Sequence, residues 1–308
     1  MMKILGEKVK VLIITSTIDR TVDYIIETYG ENIDFYRFNV DTFENYEINI
    51  GGENQWTISC SEWTLRKNEL YSIYYRKPRL PDLSIYEVEY RAMISRDIIA
   101  VINGIADDFD GKVLTKPSVL RKTENKVFQL LYAERNGFLT PKSFIGNSKS
   151  ETREFSHMKS IIKPITTGKI LLKNTTEIYQ TNYFLGLEGD ISLTPIYLQE
   201  YMNKKYEVRL TIINGNFFPV RIDSVNKLDW RQNYEGLTYS MIECPIEIKD
   251  KCLMLMKHYE LNFGAFDFII NENDEWIFLE INPNGQWQWL EQVLRLPISQ
   301  KIVDYLIS

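Results

Sequence analysis

The hydrophobic and polar positions of the first third of the chain predict a parallel α/β unit. Residues 9–14 form a continuous apolar run, which is typical of a strand buried on both faces. A helical pattern over about residues 19–29 and a short strand at 35–38 complete a β-α-β opening. The loop Thr15-Ser16-Thr17 lacks the glycine fingerprint of a dinucleotide site. We therefore interpret this unit as structural, or as a contact for a substrate or partner.

Short strands and one long helix continue the pattern. Apolar residues near helical spacing predict a helix over about 86–105, after strand-like runs at 47–50, 56–59 and 71–76. A strand at 113–115 and then Lys116-Pro117 are predicted to close a first domain, residues 1–116.

From Ser118 the pattern changes, and we expect two further parts, a central lobe over residues 117–192 and a C-terminal lobe over 193–308. In the central lobe a helix over 119–136 ends at Gly137, in the position of a left-handed cap. The remaining predicted elements are strands at 144–145, 160–163 and 196–202, a hairpin over 207–223, a helix over 248–259, a second hairpin over 263–287 and a last helix toward Leu306.

The second hairpin carries three oxygen ligands on one predicted face. A two-residue turn at Asn273-Asp274 places Asp267 directly opposite Glu280, and period-two alternation puts Asn282 on the same face. The other face is predicted to be apolar, with Phe266, Phe268, Ile277, Leu279 and Ile281. Opposed carboxylates repel each other, whereas a hard cation such as Mg2+ would join them. The alternative is that both acids face water.

The first hairpin carries two arginines. A three-residue turn centred on Gly215 would set Arg209 opposite Arg221 and Glu207 opposite Asp223. Two facing guanidinium groups suit a shared phosphoryl or carboxylate anion. The alternative is a surface lattice of salt bridges, with Arg209 bound to Glu207 or Asp223.

Further candidates lie in the central lobe and at its end. Lys126 lies in the predicted helix, where a lysine is usually solvated, and Lys163 closes an apolar strand, where a buried cation needs a partner. The loop 165–169 contains Gly168 and offers backbone N–H groups to phosphates, although a plain turn is the alternative. The strand end Gln199-Glu200-Tyr201-Met202 offers polar backbone groups and apolar walls to a base.

Composition narrows the class of protein. The chain has 308 residues, 44% of them hydrophobic and 25% charged, as in ordinary globular proteins. Its net charge of −6 argues against a general nucleic-acid binder. Three scattered cysteines and two histidines argue against disulfides and zinc. The first residues predict a strand rather than a signal peptide, and no run approaches the roughly 20 apolar residues of a membrane span. We therefore expect a cytoplasmic protein without membrane or nucleic-acid partners.

Taken in order, these residues resemble the ATP-grasp carboxylate ligases. The ending Glu280-Ile281-Asn282-Pro283-Asn284-Gly285-Gln286-Trp287, with Tyr75-Arg76-Lys77-Pro78 in the first domain, is similar to the graspetide (microviridin-type) peptide maturases. The resemblance covers nearly the whole chain and is strongest after Lys116. It implies an α/β ATP-grasp fold, in which a pre-ATP-grasp domain is followed by two lobes that enclose ATP.

The resemblance also implies roles for these residues. Lys126, Lys163 and the loop with Gly168 would contact phosphates, Gln199 to Met202 would line the adenine pocket, and Glu207 would take the ribose. Asp267, Glu280 and Asn282 would hold Mg2+, while Arg209 and Arg221 would stabilise the moving phosphoryl group. Family members link Asp or Glu side chains of a precursor peptide to Thr or Ser hydroxyls, or to Lys amines. They bind a leader segment and are commonly homodimers.

Several points stay open at this level. Asp223 is a hypothesis for the general base, and segments 183–192 and 227–237 are candidates for peptide contacts. A carboxylate ligase needs no covalent nucleophile, which agrees with the lack of a Ser/His or Cys/His arrangement. The alternatives are an ATP-grasp ligase that joins an amino acid to a separate carboxylate, and a nucleotide-binding scaffold without turnover.

Overall fold

The computed structural model describes residues 8–52, 55–166, 169–171, 176–178, 181–187, 189–226 and 235–308. The chain divides into two compact units. The first contains Met1–Leu120 and Pro297–Ser308, and the second contains Arg121–Leu296.

The first unit is built on a parallel sheet. Its strands are β1 (Val9–Thr15), β2 (Ile33–Asn39), β3 (Glu47–Ile50), β4 (Trp56–Ser59), β5 (Thr64–Arg66), β6 (Ser72–Tyr75) and β7 (Lys112–Leu114), with helices α1 (Arg20–Tyr29) and α2 (Val88–Asp107). The parallel order is β2-β1-β6-β7, and β3-β4-β5 form a small antiparallel sheet. The apolar run of β1 is fully buried from Val11 to Ile14, so the predicted β-α-β opening is confirmed.

The second unit begins within a pair of short helices. We predicted one helix over 119–136, but α3 (Pro117–Thr123) ends before α4 (Lys126–Arg135) starts. The break lies at Asn125 because its side chain accepts the N–H groups of Val127 and Phe128, which caps α4. Lys126 is therefore the first residue of α4 rather than an interior one. Gly137 has φ of +71°, as predicted for the left-handed position.

The described residues of the rest of the second unit form three antiparallel sheets and several helices. Its other helices are α5 (Lys149–Ser156), α6 (Ile246–His258) and α7 (Gln288–Leu294), and its strands are β8 (Ser143–Gly146), β9 (Ser160–Lys163), β10 (Lys169–Leu171), β11 (Thr176–Ile178), β12 (Asn182–Phe184), β13 (Ile196–Glu200), β14 (Tyr206–Ile213), β15 (Asn216–Asp223), β16 (Thr238–Met241), β17 (Phe263–Ile270) and β18 (Trp276–Asn282). One sheet has the order β12-β9-β13-β8 and another β16-β15-β14-β17-β18, and β10 pairs with β11.

Two elements of the predicted C-terminal lobe group with other parts of the chain. Strand β13 pairs with β8 and β9, so it belongs to the sheet of the predicted central lobe although it follows residue 192. The predicted last helix is two helices, because Arg295 is left-handed (φ +55°) and Pro297 follows it. The second of them, α8 (Ile298–Ile307), groups with the first unit. The three-domain division itself stays a prediction.

Candidate functional site

The hairpin of β17 and β18 brings the predicted oxygen ligands together. Asp267 lies directly opposite Glu280, as predicted, and Asn282 lies opposite Ala265 on the same face. The turn differs from the prediction, because Ile270 pairs with Trp276 and Asp274 is left-handed (φ +62°). These pairings leave one extra residue on β18, and the register shifts next to Asp267.

This bulge has a further consequence for the two faces of the hairpin. Ile277 pairs with Ile269, two residues beyond Asp267 on β17. Ile277 therefore lies on the face that carries Asp267, Glu280 and Asn282, which we call the acid face. Its predicted place on the opposite face is wrong. Phe278 pairs with Phe268 and takes the place predicted for Ile277.

A basic side chain accompanies each of the two acids. Arg209 lies opposite Asp267 on the other side of β17, and its Nη1 donates to Asp267 Oδ1 at 2.8 Å and to Oδ2 at 2.7 Å. Lys126 Nζ lies 3.5 Å from Glu280 Oε2 and donates to the carbonyl of Pro164 at 3.0 Å. Arg209 is only 7% exposed. The charges of the facing carboxylates are therefore balanced within the second unit.

Lys163 is held by a buried amide. Its Nζ donates to Gln199 Oε1 at 2.9 Å and lies 4.5 Å from the centre of the Tyr197 ring. Gln199 Nε2 donates to Ser143 Oγ at 2.9 Å and to Tyr197 Oη at 3.2 Å. Burial raises the pKa of Tyr197 to about 12, so its hydroxyl stays protonated at neutral pH. The side chain of Gln199 thus fixes Lys163.

The rest of the predicted base-binding strand end is partly used by the fold. The N–H of Glu200 donates to the Lys142 carbonyl at 2.8 Å, and the N–H of Tyr201 to the Lys159 carbonyl at 2.9 Å. These two N–H groups are therefore already bonded, contrary to the expectation that they face a base. Lys159 Nζ lies 3.7 Å from the centre of the Tyr201 ring. Met202, the last predicted member, is half-buried.

Glu207 has a partner that sequence reasoning missed. Lys204, three residues earlier, donates to Glu207 Oε1, and both side chains are nearly buried. The sequence signal that could have indicated this pair is the spacing of three residues between Lys204 and Glu207, the predicted ribose ligand. This pair places a fixed acid at the start of β14.

The hairpin of β14 and β15 corrects the predicted arginine pair. Its turn has two residues, Asn214 (φ +42°) and Gly215 (φ +78°), so Arg209 lies opposite Val220 and Glu207 opposite Ile222. Because Arg221 lies opposite Val208, a neighbour of Arg209 along β14, the two arginines point to opposite faces.

Arg221 belongs to a different cluster. It donates from Nε and Nη2 to the two oxygens of Asp223, both at 2.7 Å, and its guanidinium lies 4.0 Å from the centre of the Tyr206 ring. The hydrogen bonds that Arg221 donates to the Asp223 carboxylate raise the pKa of its guanidinium. The structure therefore does not bring Arg221 and Asp223 to the acid face.

The chain that follows β18 closes over the acid face. Asn282 Oδ1 accepts the N–H of Asn284 at 3.2 Å, which starts a turn. A Cβ on Gly285 would stand 2.6 Å from the Ala265 Cβ and 3.2 Å from Arg209 Nη2. Only a glycine can approach the sheet this closely, which explains a residue that the sequence singled out without a reason.

Two predicted regions lie partly outside the described residues. The first is the loop 165–169, which the structure describes only in part, and its Gly168 lies outside the described residues. Residues 227–234 of the candidate peptide-contact segment 227–237 are another. Their predicted roles stay predictions.

Gln199→Leu is expected to lower the affinity for ADP and to destabilise the second unit by about 1–3 kcal/mol, because a buried network loses its central amide. Isothermal titration with ADP and thermal unfolding measure the two effects. The control Gln292→Leu changes an exposed residue of α7 and is expected to alter neither. Unchanged ADP affinity in a folded Gln199→Leu protein would show that Lys163 does not depend on this amide.

Comparison with known proteins adds the family context. No protein-family model matches the sequence. A RiPP-associated ATP-grasp ligase of Chryseobacterium gregarium, in complex with ADP and a leader and core peptide, superposes with a TM-score of 0.86 at 25% identity and covers 97% of this chain and 96% of that chain. Macrocyclase MdnC of Microcystis aeruginosa, bound with precursor peptide MdnA, has the same TM-score and identity and covers 97% of this chain and 99% of that chain.

A sequence relative points to a second type of ligase. The α-aminoadipate–LysW ligase LysX of Saccharolobus solfataricus is 26% identical over 220 residues, which are 68% of this chain and 80% of LysX.

Within the described part of the chain, no helix is long and apolar enough to cross a membrane.

Proposed function

We propose that this chain, which has the ATP-grasp fold and resembles the graspetide ligases, is an ATP-dependent macrocyclase of a ribosomally made precursor peptide. It activates Asp or Glu side chains of that peptide as acyl phosphates and links them to Thr or Ser hydroxyls, or to Lys amines. The observation that carries the proposal is the acid face of the five-stranded sheet, where Arg209, Asp267, Glu280 and Asn282 lie together and Lys126 pairs with Glu280. The similarity in fold to two peptide-bound ligases supports the choice of a peptide substrate.

ATP with Mg2+ fits this face by the chemistry of its donors. Two carboxylates and one amide oxygen form an all-oxygen set, which suits a hard cation that keeps water and phosphate oxygens as its other ligands. Asp267, Glu280 and Asn282 would hold Mg2+, which supplies positive charge against the triphosphate. Lys126 and Lys163 bind phosphate oxygens, and Glu207 takes the ribose. The nucleotide-binding roles of Gly168, Gln199, Glu200, Tyr201 and Met202 stay proposals. The amide of Gln199 acts through Lys163, and the N–H groups of Glu200 and Tyr201 are bonded within the fold.

The arginine beside the acids has the clearest chemical task. Arg209 is held rigid by its two bonds to Asp267, so its remaining N–H groups are fixed in direction. A fixed guanidinium stabilises charge that develops on a phosphoryl group without a cost for reorganising at the moment of reaction. Arg221 and Asp223 lie on the other face, and their catalytic roles stay predictions.

Two exposed apolar surfaces support the proposed partners. Leu185, within the predicted peptide-contact segment 183–192, and Leu193, directly after it, are each 95% exposed, which suits a peptide with apolar side chains. In the first unit, the N-terminal half of α2 exposes Val88, Tyr90 and Met93, and these apolar side chains suit a contact within a homodimer.

A second candidate is an intermolecular ligase, which the similarity to LysX favours. The test is ADP formation with Mg2+ and two sets of acceptors, a precursor peptide alone and a free amino acid with a separate carboxylate. A precursor peptide with Thr-rich and Glu/Asp-rich segments is expected to stimulate ADP release by itself. Release only when a free amino acid accompanies a separate carboxylate would support the second candidate. No release with any acceptor would leave a nucleotide-binding scaffold.

A further inference from the structure

Gln129 joins the helix that carries Lys126 to the strand that carries the acids. It lies on α4, three residues after Lys126, and is only 4% exposed. Its Nε2 donates to the carbonyl of Ile281 at 2.9 Å, and its Oε1 accepts the N–H of Ile281 at 3.0 Å. The same Nε2 also donates to the carbonyl of Thr123 at 2.7 Å. One side-chain amide therefore pairs with both backbone groups of a single residue of β18.

The contact is relevant to the predicted metal ligands because Ile281 lies next to two of them along the chain. Ile281 stands between Glu280 and Asn282, and β18 is the edge strand of its sheet. An edge strand has one row of backbone groups without a neighbouring strand. The amide of Gln129 takes the place of that neighbour at one residue, and it fixes the two peptide planes that adjoin Glu280 and Asn282.

The helix contacts the same strand at a second point. Lys126 Nζ lies 3.5 Å from Glu280 Oε2, so α4 touches the side chain of one residue of β18 and the backbone of the next. The Asn125 cap fixes the start of α4, and the bond to Thr123 ties Gln129 to the preceding helix. A shift of α4 would therefore move both Lys126 and the strand between the predicted ligands.

We propose that Gln129 is a positioning residue, which sets the backbone of Glu280 and Asn282 for a divalent cation. This inference rests on the proposed metal and nucleotide site. A partner that orients a metal ligand changes metal affinity when it is removed, typically by about 10–100-fold. An amide that only satisfies a buried strand edge would change stability and leave metal affinity as it is.

The test uses Gln129→Met, which keeps the size of the side chain and removes the amide. Gln129→Asn is a second variant, because it keeps the amide and shortens the side chain by one methylene. The control is Gln300→Met, which removes an exposed amide bonded to Asp304 on α8. Binding of Mn2+ in the presence of ADP is measured by electron paramagnetic resonance, and binding of ADP alone is measured in EDTA.

Both Gln129 variants are expected to bind Mn2+ at least about tenfold more weakly than wild type, while their affinity for ADP in EDTA and the behaviour of the control stay unchanged. Circular dichroism checks folding, and if Gln129→Met is unfolded, Gln129→Asn decides the result. Wild-type Mn2+ affinity in a folded variant would overturn the positioning role, and so would an equal loss of ADP binding in EDTA. If wild type itself binds neither ADP nor Mn2+, the proposed function fails, and this inference fails with it.

Discussion

Replacing Asp267 with Ala is expected to abolish ATP turnover and to lower the free energy of unfolding by about 3–5 kcal/mol, because Arg209 would keep a buried charge without its partner. The side chains of Arg209 and Asp267 are 9% and 14% exposed, and Nη1 of the arginine lies within 2.8 Å of both carboxylate oxygens. Urea unfolding followed by circular dichroism measures the stability. ADP formation with the precursor peptide measures the turnover.

The chain offers a matched control for this change. Asp223 also accepts two hydrogen bonds from one arginine, both at 2.7 Å, but the side chains of Arg221 and Asp223 are 39% and 38% exposed. Asp223→Ala is therefore expected to cost only about 0–1 kcal/mol, as other exposed pairs do. If Asp267→Ala and Asp223→Ala lowered the free energy of unfolding equally, the result would contradict our argument that the buried pair contributes more to stability than the exposed one.

The second large effect is expected from Gly285→Ala. The added Cβ would stand 2.6 Å from the Ala265 Cβ, and both residues are buried against the sheet. The chain after Asn282 would have to move away from the acid face, at a cost of about 1–3 kcal/mol for the forced repacking. Since the same Cβ would also press on Arg209 Nη2 at 3.2 Å, turnover is expected to fall together with stability. Thermal unfolding and ADP formation measure the two.

Two further variants isolate the cause. In Ala265→Gly/Gly285→Ala the clashing Cβ of residue 265 is absent, so the double variant is expected to be more active than Gly285→Ala. Gly104→Ala adds a Cβ in the interior of α2 with nothing described within 4 Å, and it is expected to raise stability by about 0.4–1 kcal/mol. A fully active Gly285→Ala protein would show that this segment does not need its close approach to β17.

The sequence could predict which residues meet on the acid face, but the register was reached by two compensating errors. A two-residue turn at Asn273-Asp274 sets Asp267 opposite Glu280, whereas the structure has a longer turn and an extra residue on β18. A bulge depends on packing on both sides of a strand, and a turn sequence does not reveal it. Ile277 was placed on the wrong face because the bulge was not predicted, since a register shift of one residue moves a side chain to the other face of the sheet.

The first hairpin is an error that the sequence itself could have prevented. Asn214-Gly215 is the dipeptide that two-residue hairpin turns prefer, since both residues accept positive φ. With that turn the pairing of Arg209 with Val220 follows by counting, and the supposed arginine pair disappears.

The contacts of Gln129, in contrast, could not have been predicted from the sequence. Its partner Ile281 is 152 residues away, and no local pattern predicts a side chain that completes a distant strand edge.

The central claim, that this chain condenses the side chains of one peptide, is tested most directly by intact mass spectrometry. A candidate precursor peptide is incubated with the protein, ATP and Mg2+, beside a sample without ATP. We expect the peptide to lose the mass of one or more water molecules in the ATP-dependent sample while it remains a single chain. A peptide of unchanged mass, with ATP consumed only when a free amino acid is added, would contradict the claim.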